Sequence, residues 1–250
     1  MRRALELAWR GWGRVSPNPL VGAVLLGRDG VVAEGWHAEF GGPHAEVNAL
    51  RVAGDKAHGA TLVVTLEPCA HQGKTPPCTD AIRAAGIRRV VAAVRDPDPD
   101  ARGGAEILKR AGIETEIGLF AEEAAGQNAA VLATRQQTDR PFVALKLATS
   151  IDGRIADAGG SSQWISGPEA REHVHWLRAG FDAIAVGGTT ALTDNPQLTA
   201  RGGVTPRRPP VRVVFDRRAM LKQGVFLVQT AREIPARGVA YTQAPSANVF

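Results

Sequence analysis

The stretch TLEPCAHQGKTPPC, residues 65–78, holds both cysteines of a 250-residue chain, together with three prolines. The apolar run ATLVVTL (60–66) leads into it and reads as a buried strand, while TDAIRAAG (79–86) follows it at helical spacing. Strand, loop and helix in that order are the repeating unit of an α/β sheet. Two cysteines in one short loop can mean a disulfide, a metal site or coincidence. The choice depends on what else in the chain can stand beside those sulfurs.

The flanking elements extend the α/β pattern. Leu5, Ala8, Trp9 and Trp12 recur at helical spacing near the start, in an Arg-rich stretch that also fits a transit peptide. Two β-rich runs, 20–26 and 31–36, flank Gly27-Arg28-Asp29-Gly30 as a hairpin. In GGPHAEVNALRVAG, Pro43 marks a helix start and Gly54 a stop. IRRVVAAV (87–94) reads as a strand, and AEILKRAGIETEIGL (105–119) as helix then strand. The alternation predicts a sheet covered by helices on both faces. A long helical stretch, 121–137, precedes TDRPF, which sets a domain boundary between 1–140 and 141–250. Beyond it, PFVALKLATSIDGRIA (141–156) predicts a strand and turn, 168–179 a helix, and DAIAVGG and PPVRVVFD two strands of a second α/β unit.

Composition excludes some classes. Hydrophobic residues at 44% and charged residues at 22% are ordinary for a globular protein, and no apolar run approaches the ~20 residues of a membrane span. The N-terminus has no apolar h-region, so the expectation is a cytoplasmic protein without membrane contact. A net charge of +5 favours anionic partners, either phosphorylated small molecules or nucleic acid. The arginines are dispersed and aromatic residues make up only 5%, which leaves few stacking platforms; no nucleic-acid partner is expected. A reducing compartment counts against a structural disulfide.

His44-Ala45-Glu46, directly after Pro43, changes the reading of the cysteines. One imidazole and two thiolates on zinc leave a fourth position for water, whose pKa the ion lowers to about 7. A carboxylate beside that water can carry its proton to a leaving group, and Glu46 suits the part. H-x-E followed by P-C…C is the zinc-deaminase signature. Residues two apart do not share a helix face, so the ion must lie off the helix N-terminus. Pro43 puts His44 there, and Pro68 is expected to do the same for Cys69. Two helix N-termini aimed at one site would stabilise thiolates. His37, His58 and His71 are not read as ligands.

Eight residues, rather than the common two, separate the cysteines. With that spacing, SPNPLVGAV, PHAEVNAL and TLEPCAHQGKTPPC resemble the deaminase domain of the bifunctional riboflavin-biosynthesis deaminase–reductase family. The resemblance implies a cytidine-deaminase-like α/β/α sandwich that deaminates 2,5-diamino-6-ribosylamino-4(3H)-pyrimidinone 5′-phosphate. It implies zinc on His44, Cys69 and Cys78, with Glu46 as proton shuttle. Asn18, in the Pro-Asn-Pro turn, would bind the pyrimidine, and Lys74 and Thr75 would lie in a loop over it.

LKLATSIDGRIA, SSQWISGPEAR and VGGTTALTDNPQLTAR resemble the family's dihydrofolate-reductase-like domain, which reduces the ribosyl chain with NADPH. By that resemblance Thr149, Ser162, Trp164, Thr190 and Asp194 take cofactor positions. Arg178, Leu198 and Arg201 take substrate positions, the arginines suiting a ribose phosphate. Taken singly, Trp164 reads as core, Arg178 as a helix-surface charge and Asp194-Asn195-Pro196 as a turn.

Two departures from the family stand out. The chain ends at YTQAPSANVF, before the family's reductase would, so an incomplete reductase domain is expected; the protein partners considered are a second copy in a homo-oligomer and a separate chain completing the reductase. The loop in RDPDPDARGGAEIL is one residue shorter than the family's, which affects contacts over Asp96–Gly104. A tRNA adenosine or cytidine deaminase shares the zinc chemistry, but the cysteine spacing and the reductase-like half argue against it. A non-catalytic zinc-stabilised scaffold has no use for Glu46.

Overall fold

Gly27 to Gly30 closes the first hairpin, joining strand β1 (Gly22–Gly27) to β2 (Gly30–Trp36) in antiparallel register, with Gly22 opposite Trp36. This is a computed structural model; it describes residues 1–73, 75–135 and 139–239, and Lys74 lies outside them. Strand β3 (Thr61–Leu66) joins β1 antiparallel, β4 (Arg89–Val94) joins β3 parallel, and β5 (Glu114–Ile117) joins β4 parallel. The sheet order is β2-β1-β3-β4-β5. Strands β3 and β4 are buried almost without alternation, as expected of strands covered on both faces.

Helices α2 (Ala45–Ala53), α3 (Cys78–Ala84) and α4 (Gly104–Arg110) cover one face. Their Ala45, Ala49, Ile82 and Leu108 pack on Ala23, Leu25, Leu62, Val64, Val90 and Ala92. On the opposite face Ala4 and Leu7 of α1 (Arg2–Ala8) pack on Val24. The first unit, Met1–Ala144, is therefore the expected α/β/α sandwich. A Cβ on Gly35 of β2 would lie 2.4 Å from Ala45 O and Ala49 N. Only glycine lets α2, with the residues at its start, come so close to the sheet.

The expected helix over 121–137 is two helices, α5 (Ala121–Gln127) and α6 (Ala129–Arg135); residues 136 and 137 are outside the described residues. Asn128 interrupts them because its side chain binds elsewhere. Its amide accepts from Leu20 N–H at 2.8 Å and donates to Leu20 C=O at 3.0 Å.

In the second unit, Leu145–Phe250, strands β6 (Ala183–Gly187), β7 (Val211–Phe215) and β8 (Ala236–Val239) form a parallel sheet. Helices α7 (Pro168–Ala179) and α8 (Gly188–Asp194) precede and follow β6. Ala191, Leu198, Val214, Val225 and Leu227 form a small core. The strand expected within 141–156 is absent: residues 141–150 are irregular, with Val143 78% and Leu145 82% exposed. An alternating apolar run becomes a strand only where a neighbour pairs its backbone, and no described strand does so here. Trp164 is no core residue either; it is 70% exposed, with the Arg171 guanidinium 4.4 Å from its ring centre.

Candidate metal centre and active site

The carboxyl ends of β3 and β4, the amino end of α2 and the loop that leads into α3 meet at one cavity of about 260 Å³. His44 is the N-cap residue of α2, as Pro43 suggested. The second helix start corrects the expectation: Cys69 sits in the loop after β3, and it is Cys78, behind Pro77, that opens α3. Both sequences place a cysteine after a proline, but only Cys78 is followed by an uninterrupted helical run; Cys69 is followed by Gly73, Pro76 and Pro77.

His44, Cys69 and Cys78 offer Nδ1 and two Sγ atoms within 4.8 Å of one another. Nδ1 lies 3.2 Å from Cys78 Sγ and 3.5 Å from Cys69 Sγ. Tetrahedral zinc, with Zn–S about 2.3 Å and Zn–N about 2.0 Å, needs ligand edges of about 3.5–3.8 Å, so the triad fits the ion with only a small opening. Both cysteines are free and buried. The Cys78 thiol donates to Cys69, which with the backbone N–H of Cys78 at 3.3 Å holds Cys69 as thiolate, its pKa lowered to about 4. Cys78 is raised by the same hydrogen bond and by burial. Binding a metal therefore displaces the Cys78 proton. The His44 Nε2 lies 3.5 Å from Thr75 Oγ1, a contact that orients the ring with Nδ1 toward the sulfurs.

Glu46 lines the cavity yet is only 3% exposed, and burial pushes its pKa up to about 7. A carboxyl poised there exchanges protons readily at neutral pH. Asn18, which also lines the cavity, has a defined orientation. His37 Nδ1 faces Pro43 C=O at 3.1 Å and must donate to it, so Nε2 accepts from Asn18 Nδ2 at 3.2 Å. Burial holds His37 below the usual histidine range, which keeps this neutral tautomer. The Asn18 amide is thereby oriented so that its oxygen can receive a donor from a bound ring, with one N–H spent on His37.

Glu67, Asp96 and Asn128 carry positioning work that the sequence reading passed over. Glu67 accepts from Asp96 N–H at 3.1 Å and Ala105 N–H at 3.0 Å, tying the loop after β4 to the start of α4. An acidic residue closing an apolar buried strand was the available signal. Asp96 also lines the cavity, and burial raises its carboxyl to about 6.

In the second unit the proposed substrate residues cluster. Arg178 Nη1 donates to Thr199 C=O at 3.3 Å, beside buried Leu198, and Arg201 Nη2 lies 3.4 Å from His175 Nε2. The five proposed cofactor residues lie in separate stretches. Thr149, Ser162 and Trp164 are in the irregular segment before α7, Thr190 and Asp194 on α8, and all five are exposed.

Fold and site define the first unit as a cytidine-deaminase-like domain built for zinc. Residues 1–94 match the cytidine and deoxycytidylate deaminase zinc-binding region, and residues 141–244 the RibD C-terminal domain. The riboflavin biosynthesis protein RibD of Escherichia coli is 48% identical over 228 residues, 86% of this chain and 62% of the relative. That of Mycobacterium tuberculosis H37Rv is 45% identical over 241 residues, covering 95% and 71%. The crystal structure of the Thermotoga maritima diaminohydroxyphosphoribosylaminopyrimidine deaminase/5-amino-6-(5-phosphoribosylamino)uracil reductase superposes with a TM-score of 0.83 at 46% identity, covering 100% of this chain and 70% of that one. The chain belongs to the RibD family of riboflavin-biosynthesis deaminase–reductases, and spans 62% of the length of its E. coli relative.

Proposed function

We propose that the first unit hydrolyses the amino group from 2,5-diamino-6-ribosylamino-4(3H)-pyrimidinone 5′-phosphate, replacing a ring C–NH2 by C=O and releasing ammonia. The observation that carries the reading is the convergence of Glu46, Asn18, His44 and Cys69 at one cavity, with Cys78 completing the metal triad. When bound, zinc would supply a water acidic enough to ionise near pH 7. Glu46 is placed to take a proton from the nucleophile and return it to the departing nitrogen. The Asn18 amide oxygen accepts from the ring's donor edge, holding the amino-bearing carbon toward Glu46. Lys74, beside Thr75, stays a proposed contact over the substrate. The test is ammonia release by the zinc-loaded chain from this ribotide, with free cytidine and tRNA as comparators. Release from tRNA but not from the ribotide would replace the reading by nucleic-acid deamination.

For the second unit we propose the substrate-binding part of the family's NADPH-dependent reduction of the deaminated product. Arg178 and Arg201, linked through His175 and the Thr199 carbonyl, supply positive charge suited to a ribose phosphate, while burial and the two arginines hold His175 below the usual histidine range. Thr149, Ser162, Trp164, Thr190 and Asp194 are the proposed NADPH contacts. Equilibrium binding of the deaminated ribotide should weaken in Arg201→Gln, and equal binding would remove this assignment.

A further inference from the structure

The cavity lined by His44 and Cys69 of the metal triad reaches a charged rim formed by α6 and the loop after β4, and nothing in the proposed chemistry uses that rim. Arg135, the last residue of α6, lines the same cavity as His44, Glu46 and Asn18. It is the one arginine or lysine among the described lining residues, which otherwise include four carboxylates: Glu46, Glu67, Asp96 and Asp98. Its Nη1 pairs with Asp98 Oδ2 at 2.8 Å.

That pairing positions the guanidinium. Asp98 is itself fixed: its N–H donates to Asp96 Oδ1 at 2.9 Å, its Oδ1 accepts from Asp100 N–H at 3.1 Å, and its carbonyl accepts from Ala101 and Arg102 N–H. Asp96 is in turn held by Glu67. A buried carboxylate of β3's exit therefore sets the loop, the loop sets Asp98, and Asp98 holds Arg135 at the rim. A guanidinium has five N–H donors in a planar fork, and one carboxylate oxygen on Nη1 leaves most of them available. A phosphate monoester presents three acceptor oxygens and matches that fork in bidentate fashion.

We propose that Arg135 is the specificity-determining residue for the substrate's 5′-phosphate in the deaminase cavity, held in place by Asp98. The proposal rests on the ribotide-deaminase reading and assigns its phosphate end. In that cavity the ring lies between Glu46 and Asn18, and the ribose phosphate extends toward α6.

The test uses the full chain with cobalt(II) in place of zinc, because the thiolate–cobalt absorbance reports ligand entry into this cavity and not into the second unit. The ribotide and its dephosphorylated riboside are titrated separately, and ammonia release is followed in parallel on the zinc form. The readout is the ratio of their affinities within each variant, so a general loss of folded protein cancels. In the parent chain the ribotide should bind on the order of 10- to 100-fold tighter than the riboside. Arg135→Gln should bring the ratio close to one, and Arg135→Lys should restore part of it. A preference that survives Arg135→Gln in a chain that still deaminates the ribotide overturns the proposal and leaves the functional reading standing. If the parent chain neither binds nor deaminates either pyrimidine, the functional reading falls and the assignment of Arg135 falls with it.

Discussion

Glu46 is held at the cavity by its place in the first turn of α2, and its burial gives it a proton affinity near neutrality. Glu46→Gln keeps the shape and the neighbouring ligands but has no proton to exchange. Zinc content should stay near one per chain while ammonia release from the ribotide falls at least ~10²–10⁴-fold. Activity retained in this variant would move the proton shuttle to another residue. Asp96 shows the cost of such burial. Its carboxyl rises from 3.8 to about 6, so the folded state favours the protonated form. Below pH ~4 both folded and unfolded chains carry the proton and nothing is lost; as pH rises through ~4–6 the folded state loses stability, and above that the full penalty of roughly 2–3 kcal/mol applies. Asp96→Asn should therefore be the more stable chain at pH 7.5, with the gap shrinking toward pH 4.5. Urea unfolding at both pH values, in chelator so that metal release does not intervene, measures it. A gap that widens on acidification would show that hydrogen bonding to Asp98, rather than burial, governs this carboxyl.

Asn128 does for the helices what Glu67 does for the loop. Its one amide satisfies both backbone groups of Leu20, and it breaks the helical run so that α5 and α6 pack separately. Neighbours of both ends, Pro19 and Val21 on one side and Val131 and Arg135 on the other, line the active cavity. Asn128→Ala would leave a buried N–H and C=O without partners, and should cost roughly 2–3 kcal/mol in chemical unfolding of the first unit. A loss under ~0.5 kcal/mol would mean that water or a shifted helix replaces the amide. The same residue marks the limit of what the sequence discloses. Strands 60–66 and 87–94 declare themselves through the unbroken apolar runs 62–64 and 90–94, and His44, Glu46 and the cysteines carry their chemistry in their spacing. An Asn inside an Ala-rich run offers no local sign that it will turn aside to bind Leu20, 108 residues away. The choice between Cys69 and Cys78 as the helix opener, the tautomer of His37, and the pairing of Arg135 with Asp98 are likewise set by tertiary contacts. The run at 141–156 errs in the other direction: its alternation is strand-like, but alternation supplies no partner for its backbone.

Stability is unevenly distributed along the chain. In the first unit β3 and β4 are enclosed by helices on both faces, and the metal triad ties the loop after β3 to the starts of α2 and α3. In the second, the small core around Ala191, Leu198, Val214, Val225 and Leu227 supports a sheet whose β6 alternates exposed and half-buried positions, and Phe215 of β7 is 50% exposed. Local opening is easiest where few apolar contacts hold the backbone and its groups face water. Amide exchange should accordingly be slowest in β3 and β4, faster in β6 and β7, and fastest over 141–150, where protease should also cut first. Because structural metal binding is folding free energy, removing zinc should raise exchange at the starts of α2 and α3 and in the loop at Cys69. The sheet β6-β7-β8 contributes no ligand to the triad, so its exchange should not follow the metal. Exchange mass spectrometry on the same chain with zinc and with chelator gives both comparisons. Equal acceleration of both sheets on chelation would show one cooperative unit, with the metal stabilising all of it. Acceleration confined to the first sheet would place the ion's contribution where its ligands are.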